Sequence, residues 1–405
     1  MISLFRRQPR ALVFGFLYTL GSSPGQTFFI SVFLPVISVS IATEMADISY
    51  LYALATVASA VALPFIGRLI DRCDLLRFGV SVGLMLTLAC VAIAAAVGPL
   101  SLLLGFFALR LFGQGLMSHT GITAAARYFE EDRGKALALT SLGFAAGEAL
   151  LPVAAVLLID RIGWRWSFIT AGLVLGILTA AAAAWQVRHL ASFRAPVVRS
   201  GSSVGRASLW RSAYVWWLMP VLLASPFVLT AIIFYQALIA QELGLTLALF
   251  AASFVAYALA RIPGSLLAGP LIDRFSGRAL LPVQLLPGAL GMIILATFGS
   301  AWSVIAYYAL IGLTSGLDGT IRSAAVAEMV DPAELGAARS SLASLAVLST
   351  AAGPAAVGLL LGGGVSLSAT LWLSAALFLV ASLLAFAANL RFGIIGARPN
   401  PVAGI

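Results

Sequence analysis

Along most of the chain, apolar residues run for about 20 positions or more with few charges, and short polar stretches interrupt them. Twelve such runs stand out, at about 11–41, 48–69, 76–98, 100–126, 136–159, 164–187, 213–241, 246–271, 278–299, 302–327, 336–362 and 367–390. A helix of that length crosses a hydrocarbon core about 30 Å thick and satisfies its own backbone polar groups, which nothing else in lipid would do for them. The pattern predicts an all-α membrane protein with twelve transmembrane helices. It opens MISLFRRQPR and then stays apolar well past the length of a signal peptide, with no small-residue cleavage site after a short core, so a retained first span is expected.

Composition agrees with the pattern. The 405 residues are 61% hydrophobic and only 10% charged, whereas soluble domains carry about a quarter charged residues. The two cysteines, Cys73 and Cys90, fall in a polar loop and an apolar run, a spacing that gives neither a disulfide framework nor a zinc site.

The net charge of +9 would point to nucleic acid in a soluble chain. Placed on twelve spans it becomes a matter of orientation. With the N-terminus cytoplasmic, nineteen of the 24 Lys and Arg residues fall on the cytoplasmic side. Arg161 and Arg165 fall on the other face, and Arg110, Arg261 and Arg322 lie inside spans. Such asymmetry is the positive-inside signal, and an even span count puts both termini in the cytoplasm of a cell, or inner, membrane. No role with nucleic acid is expected. The polar segment HLASFRAPVVRSGSSVGRASLWRS, from His189 to Ser212, reads as a cytoplasmic linker. The expected organisation is a six-helix bundle over 1–187, the linker over 188–212 and a second six-helix bundle over 213–405.

The two bundles repeat one another. GRLIDR begins at Gly67 and GPLIDR at Gly269, which sets Asp71 and Asp273 202 residues apart. Ser23-Pro24 in the first span and Ser225-Pro226 in the seventh share that offset, while AAGE at 145–148 and AAGP at 351–354 are offset by 206. Duplicated six-helix halves joined by a cytoplasmic loop make the architecture of a secondary transporter, with substrate near the midplane.

The G-x-L-I-D-R loops between spans two and three and between eight and nine resemble the signature loop of the major facilitator superfamily, over nearly the whole chain. Asp74 stands at that loop's usual second glycine, and in the second copy Gly277 comes one place late. The segment RLFGQGLMSHTGITAAARYFEEDRGKALALTSLGFAAGEALLP, from Arg110 to Pro152, and YALARIPGSLLAG in span eight are similar to the oxalate:formate antiporter and monocarboxylate transporter branch. That resemblance implies that Arg261 occupies the substrate-binding arginine position. Tyr257 stands where monocarboxylate transporters carry an Asp, and span eleven lacks the lysine of oxalate exchangers.

Ionisable residues in mid-membrane are costly and mark function by default. Arg261 can grip a carboxylate through two parallel hydrogen bonds, or pair within the membrane. Arg110 matches the superfamily's span-four arginine, with its glutamine, Gln114, one place late. It can bond the backbone of span one, pair with Glu148, or take part in coupling. Glu148 is a candidate proton carrier, because burial and a neighbouring arginine would act on it in opposite directions. His119 is a second candidate, although nine residues of ideal α-helix put it half a turn from Arg110. Asp318 and Arg322, four apart in span ten, read as an ion pair or gate.

Glycine and proline inside spans one and seven predict kinks that line a cavity. Tyr18, Ser22 and Gln26 would share one face there, with Thr230 opposite. Gly67, Asp71, Arg72, Arg127, Gly269, Asp273 and Arg274 form the expected conformational gate. In it the glycines allow close helix approach, and the aspartates pair with Arg127 and Arg339 or accept from a helix N-terminus.

The sequence has no P-loop or HExxH motif, so neither ATP drive nor an enzyme is expected, and no cofactor or metal. The expected function is proton-coupled transport of a small organic anion, most simply a monocarboxylate, by a monomer that alternates access. The alternative is a proton antiporter that exports drugs or amphiphilic metabolites.

Overall fold

The computed structural model describes residues 9–71, 74–129, 133–187, 208–331 and 334–394. Most of the expected linker, together with Arg72 and Cys73, lies outside the described residues, and the side chains of Asp71 and Arg127 are likewise not described. Among the described residues there are helices and turns and no strands.

Among the described residues, ten helical runs are long and apolar enough to cross a membrane. One of them, Gly134–Trp185, is 52 residues long, and Gly163 at φ 76° breaks it into spans five and six. A β-carbon would strain that left-handed backbone, which is why glycine marks the turn. Span nine covers the expected stretch but is interrupted. Gly277–Leu280 and Leu286–Phe298 are separated by a turn containing Pro282, which has no N–H to donate to a helix. With these two readings the runs resolve into twelve spans.

The chain divides into two compact units, one of residues 1–199 with Ile233–Ala237, the other of 200–232 with 238–405. In the first unit, span one consists of Pro9–Gly21 and Thr27–Ser40, separated by a 3₁₀ turn at Ser23–Gly25. Span two is Met45–Gly67 and span three is Leu75–Ala94. Span four runs Pro99–Ala108, Leu109–Met117 and Ser118–Tyr128, and its middle piece is a π-helix.

Spans one and five pack through small residues. A β-carbon on Gly15 would lie 2.5 Å from the Thr140 hydroxyl, and one on Gly143 would lie 2.3 Å from the Phe16 carbonyl oxygen. Such approach allows helix contact without large apolar side chains, which bring little net gain against lipid. Thr19 donates to the Thr140 carbonyl at 2.6 Å across the same seam.

In the second unit, span seven is Ala213–Phe234; the short helix Gln236–Glu242 follows it and ends at an exposed Glu242 outside the span, and span eight is Leu247–Phe275. Spans ten, eleven and twelve are Ala301–Met329, Leu335–Gly362 and Leu367–Arg391. Spans eight and ten form the tight pair here. A β-carbon on Gly312 would lie 2.3 Å from the Tyr257 carbonyl oxygen, and one on Gly316 the same distance from that of Arg261.

Candidate functional site

The break in span one decides the geometry of the first unit. Pro24 has no N–H for the Leu20 carbonyl, and Ser23 Oγ donates to that carbonyl instead, at 2.6 Å. Past the turn, the N–H groups of Phe29 and Ile30 both go to Gln26. The Gly25 carbonyl thereby loses its helical donor, and Arg110 Nη1 donates to it at 3.2 Å. Arg110 thus bonds the backbone of span one, one of the partners that the sequence offered it. Arg110 as a whole is 1% exposed, and its guanidinium carbon lies 5.1 Å from the Tyr52 ring centroid, within cation–π reach. Its Nε and Nη2 are buried with no hydrogen-bond partner among the described residues.

Arg110 lies in the π-helix Leu109–Met117. Such a segment is an α-helix with an extra residue per turn and is common at functional sites. It accounts for Gln114 falling one place late. It also corrects the phase of His119. Seven of the nine steps from Arg110 turn through less than an α-helical step, so the half-turn opposition expected of an ideal helix does not hold. His119 is exposed, its ring 3.9 Å from where a Gly67 β-carbon would stand.

The same close contact brings Gly25 against Gly113. A β-carbon on Gly25 would lie 2.2 Å from the Leu109 carbonyl oxygen and 2.4 Å from the Gln114 nitrogen. Span five joins this point too, because a β-carbon on Gly147 would meet Ser23 Oγ at 2.3 Å. Glu148, the next residue, is buried. The structure therefore gathers the span-one break, Arg110, Gln114 and the span-five backbone at Gly147 into one region of the first unit.

Tyr18, Ser22 and Gln26 do not form the continuous stripe that a straight helix would give. Tyr18 is fully buried, stacked on Phe14 at 4.3 Å, its hydroxyl beside Gly79 of span three. Ser22 donates to the Thr19 carbonyl at 2.6 Å. Gln26 has extended backbone, and its amide reaches Ser22 Oγ at 3.4 Å.

In the second unit, Tyr257 is buried and donates to Ser315 Oγ at 2.9 Å. Arg261 follows one turn later, half-buried, in the stretch whose backbone Gly312 and Gly316 clasp. Thr230 in span seven is half-buried as well.

Asp318 and Arg322 form the ion pair that their spacing implied, at 3.3 Å, with the Asp318 side chain 7% exposed. Gln284 of span nine donates to Asp318 Oδ1 at 3.2 Å, and Ser225 of span seven bonds the same carboxylate. Arg322 Nη1 donates to the Leu222 carbonyl at 3.3 Å. That carbonyl lies four residues before Pro226 and therefore lacks its helical donor. Sequence reasoning missed Gln284, whose place in a short apolar span gave no signal.

The signature loops depart from their expected geometry. Among the described residues, a β-carbon on Gly269 would meet nothing within 4 Å and the nearest atoms to one on Gly67 lie 3.9 Å away, so no close helix approach of a described residue depends on either glycine. Gly277 carries that need, because a β-carbon there would lie 2.5 Å from the Ala325 nitrogen. Asp273 and Arg274 are exposed. The N-terminus of span nine is capped by Glu328, which accepts from the Gly277 and Arg278 N–H groups at 2.6 and 3.1 Å and pairs with the Arg278 side chain at 3.3 Å. Arg339 reaches the Ser323 carbonyl at 3.5 Å. Among the described residues, no cluster of His, Cys, Asp and Glu could hold a metal ion.

The internal repeat is structural as well. Gly147 packs on Ser23, and Gly353, 206 residues on, packs on the Phe227 carbonyl in span seven. In each unit an arginine of the fourth helix donates to a first-helix carbonyl beside the Ser-Pro pair. A sequence profile described as Major Facilitator Superfamily matches residues 14–255 and 227–392. The chain belongs to the major facilitator superfamily. It is a multi-pass membrane protein and a secondary transporter of small molecules, not an enzyme.

This superfamily member also matches solved structures. A bacterial homolog of the human lysosomal transporter Spinster aligns with TM-score 0.74 and 17% identity over 98% of this chain and 99% of that one. A peptide transporter, POT, aligns with TM-score 0.74 and 14% identity over 95% and 94%. At such identities the likeness concerns the fold. No curated protein matches in sequence.

Proposed function

We propose that this transporter carries a small organic anion, most simply a monocarboxylate taken up with protons by alternating access, across the cytoplasmic membrane with both termini inside. The reading places it near the oxalate:formate and monocarboxylate branch. The observation that carries it is Arg261, half-buried in mid-span on backbone clasped by Gly312 and Gly316. A guanidinium so placed orients a carboxylate through paired hydrogen bonds at low effective dielectric. Span eleven carries only one cation, Arg339 near its start, which favours one carboxylate over two.

In this reading Tyr257, Gln26, Gln114 and Thr230 shape the anion's surroundings, while Tyr18 and Ser22 support the span-one break. Glu148 carries the proton, because it is a buried carboxyl that directly follows Gly147, the glycine packed on the span-one break. The signature loops serve as the conformational gate, with Gly277 and Glu328 added to the residues first expected there.

Ligand binding to the folded protein raises its melting temperature by mass action. Purified protein should be stabilised by one or more of formate, acetate and lactate, and not by oxalate or lipophilic cations. Stabilisation by lipophilic cations alone would favour the export of drugs or amphiphiles instead.

A further inference from the structure

We propose that the end of the second unit where span seven begins and span twelve ends is a binding site for an anionic phospholipid. The proposal is independent of what the protein transports.

The 3₁₀ turn Ser208–Arg211 leads into span seven and is pinned there, with Trp216 Nε1 donating to the Trp210 carbonyl at 3.1 Å. The two indole rings lie 5.8 Å apart. The Tyr214 hydroxyl donates to Asn389 Oδ1 at 2.6 Å, which ties the end of span twelve to the same place. Arg391 follows, its guanidinium 5.6 Å from the Trp217 ring centroid and 6.0 Å from that of Phe392. Arg211 and Arg391 are both exposed, and among the described residues neither forms an ion pair.

The carboxylate beside them is already used. Glu328 accepts from two backbone N–H groups and pairs with Arg278, whose carbonyl accepts from Asn389. Among the described residues, Arg211, Arg278 and Arg391 against Glu328 leave a local excess of 3 − 1 = 2 positive charges. Apolar surface continues from this charge along the spans, with Trp216 58% and Leu390 57% exposed.

That combination selects the occupant. A phosphodiester takes paired hydrogen bonds from a guanidinium, and stacking on an aromatic ring holds Arg391 in place for it. Tryptophan favours the headgroup level, and basic clusters at the cytoplasmic ends of spans attract anionic headgroups. The exposed apolar faces below take the acyl chains, so a lipid fits where free phosphate would use only half the site. Positive-inside charge asymmetry places this end at the cytoplasmic leaflet.

The test is the lipid retained by purified protein after equilibration with equimolar phosphatidylglycerol and phosphatidylcholine in mixed micelles, counted by native mass spectrometry. Wild-type protein should retain phosphatidylglycerol preferentially, and Arg211→Gln with Arg391→Gln should reduce the preference by about tenfold or more. Arg161→Gln should leave it unchanged, and inorganic phosphate should not displace the lipid. Melting of the double variant in phosphatidylcholine checks that it remains folded. Equal retention of the two lipids by wild-type protein, an unchanged preference in the double variant, or displacement by phosphate would overturn the proposal.

Discussion

Arg322 donates to the carbonyl of Leu222 at 3.3 Å, the carbonyl that Pro226 leaves without a donor. One cation therefore satisfies a broken helix and is itself held by Asp318, which Gln284 and Ser225 also bind. Replacing Asp318 by Ala should leave Arg322 and Gln284 without their acceptor and destabilise the protein by about 2 kcal/mol, a typical value for a lost charged hydrogen bond. Asp318→Asn, which can still accept from Gln284, should lose less. Thermal melting in detergent compares the two. Equal, unperturbed melting of both variants would show that the network is not structural.

The two glycines of the second signature loop should behave differently. Gly277→Ala puts a β-carbon 2.5 Å from backbone of span ten, whereas Gly269→Ala meets nothing within 4 Å among the described residues. The first should destabilise by about 1–3 kcal/mol through overpacking. The second should be neutral, or gain up to about 1 kcal/mol of helix propensity. Melting of the two purified variants separates a steric role for Gly269 from none.

Glu242 should give stability a dependence on acid pH. Burial alone would raise its pKa, but hydrogen bonds from the Ser368 N–H and hydroxyl and from the Leu367 N–H outweigh it and hold the pKa below the ordinary 4.5. The folded state then binds fewer protons than the unfolded state in that range, so stability rises with pH there. The contribution is complete above about 4.5 and is lost as pH falls through the lowered folded value. Glu242→Gln should melt with a flatter pH profile below that point.

Glu148→Gln should abolish acceleration of uptake by an inward proton gradient while leaving exchange of labelled for unlabelled anion intact. His119→Asn, on the exposed face of span four, should leave the gradient effect in place. The reverse pattern would move the proton to His119.

How much of this was legible in the sequence depended on the range of the interaction. Helix length and the charge asymmetry are local patterns, and they give the fold class and the spans. The duplication was legible from Ser23-Pro24 and Ser225-Pro226, and the weaker AAG match proved structural once Gly147 and Gly353 were seen packed on corresponding helices. The π-helix was not legible, because one extra residue in an apolar run leaves its hydropathy unchanged. Only the late Gln114 hinted at it. Glu328 and Asn389 were missed for another reason. Their partners Gly277 and Tyr214 lie 51 and 175 residues away, beyond the reach of any local period. The glycine of G-x-L-I-D-R carried a role that the structure assigns to Gly277.

The central claim is that Arg261 anchors a small carboxylate. Its direct test is uptake of labelled monocarboxylate into proteoliposomes by wild-type protein, Arg261→Ala and Arg261→Lys, with insertion of each checked in the same vesicles. The account predicts uptake by wild-type protein, faster with an inward proton gradient, and a loss of about 30-fold or more in Arg261→Ala, the scale for truncating one member of a buried charge pair. Arg261→Lys should recover little, because one ammonium cannot reproduce the paired hydrogen bonds. Undiminished uptake by correctly inserted Arg261→Ala would contradict the account.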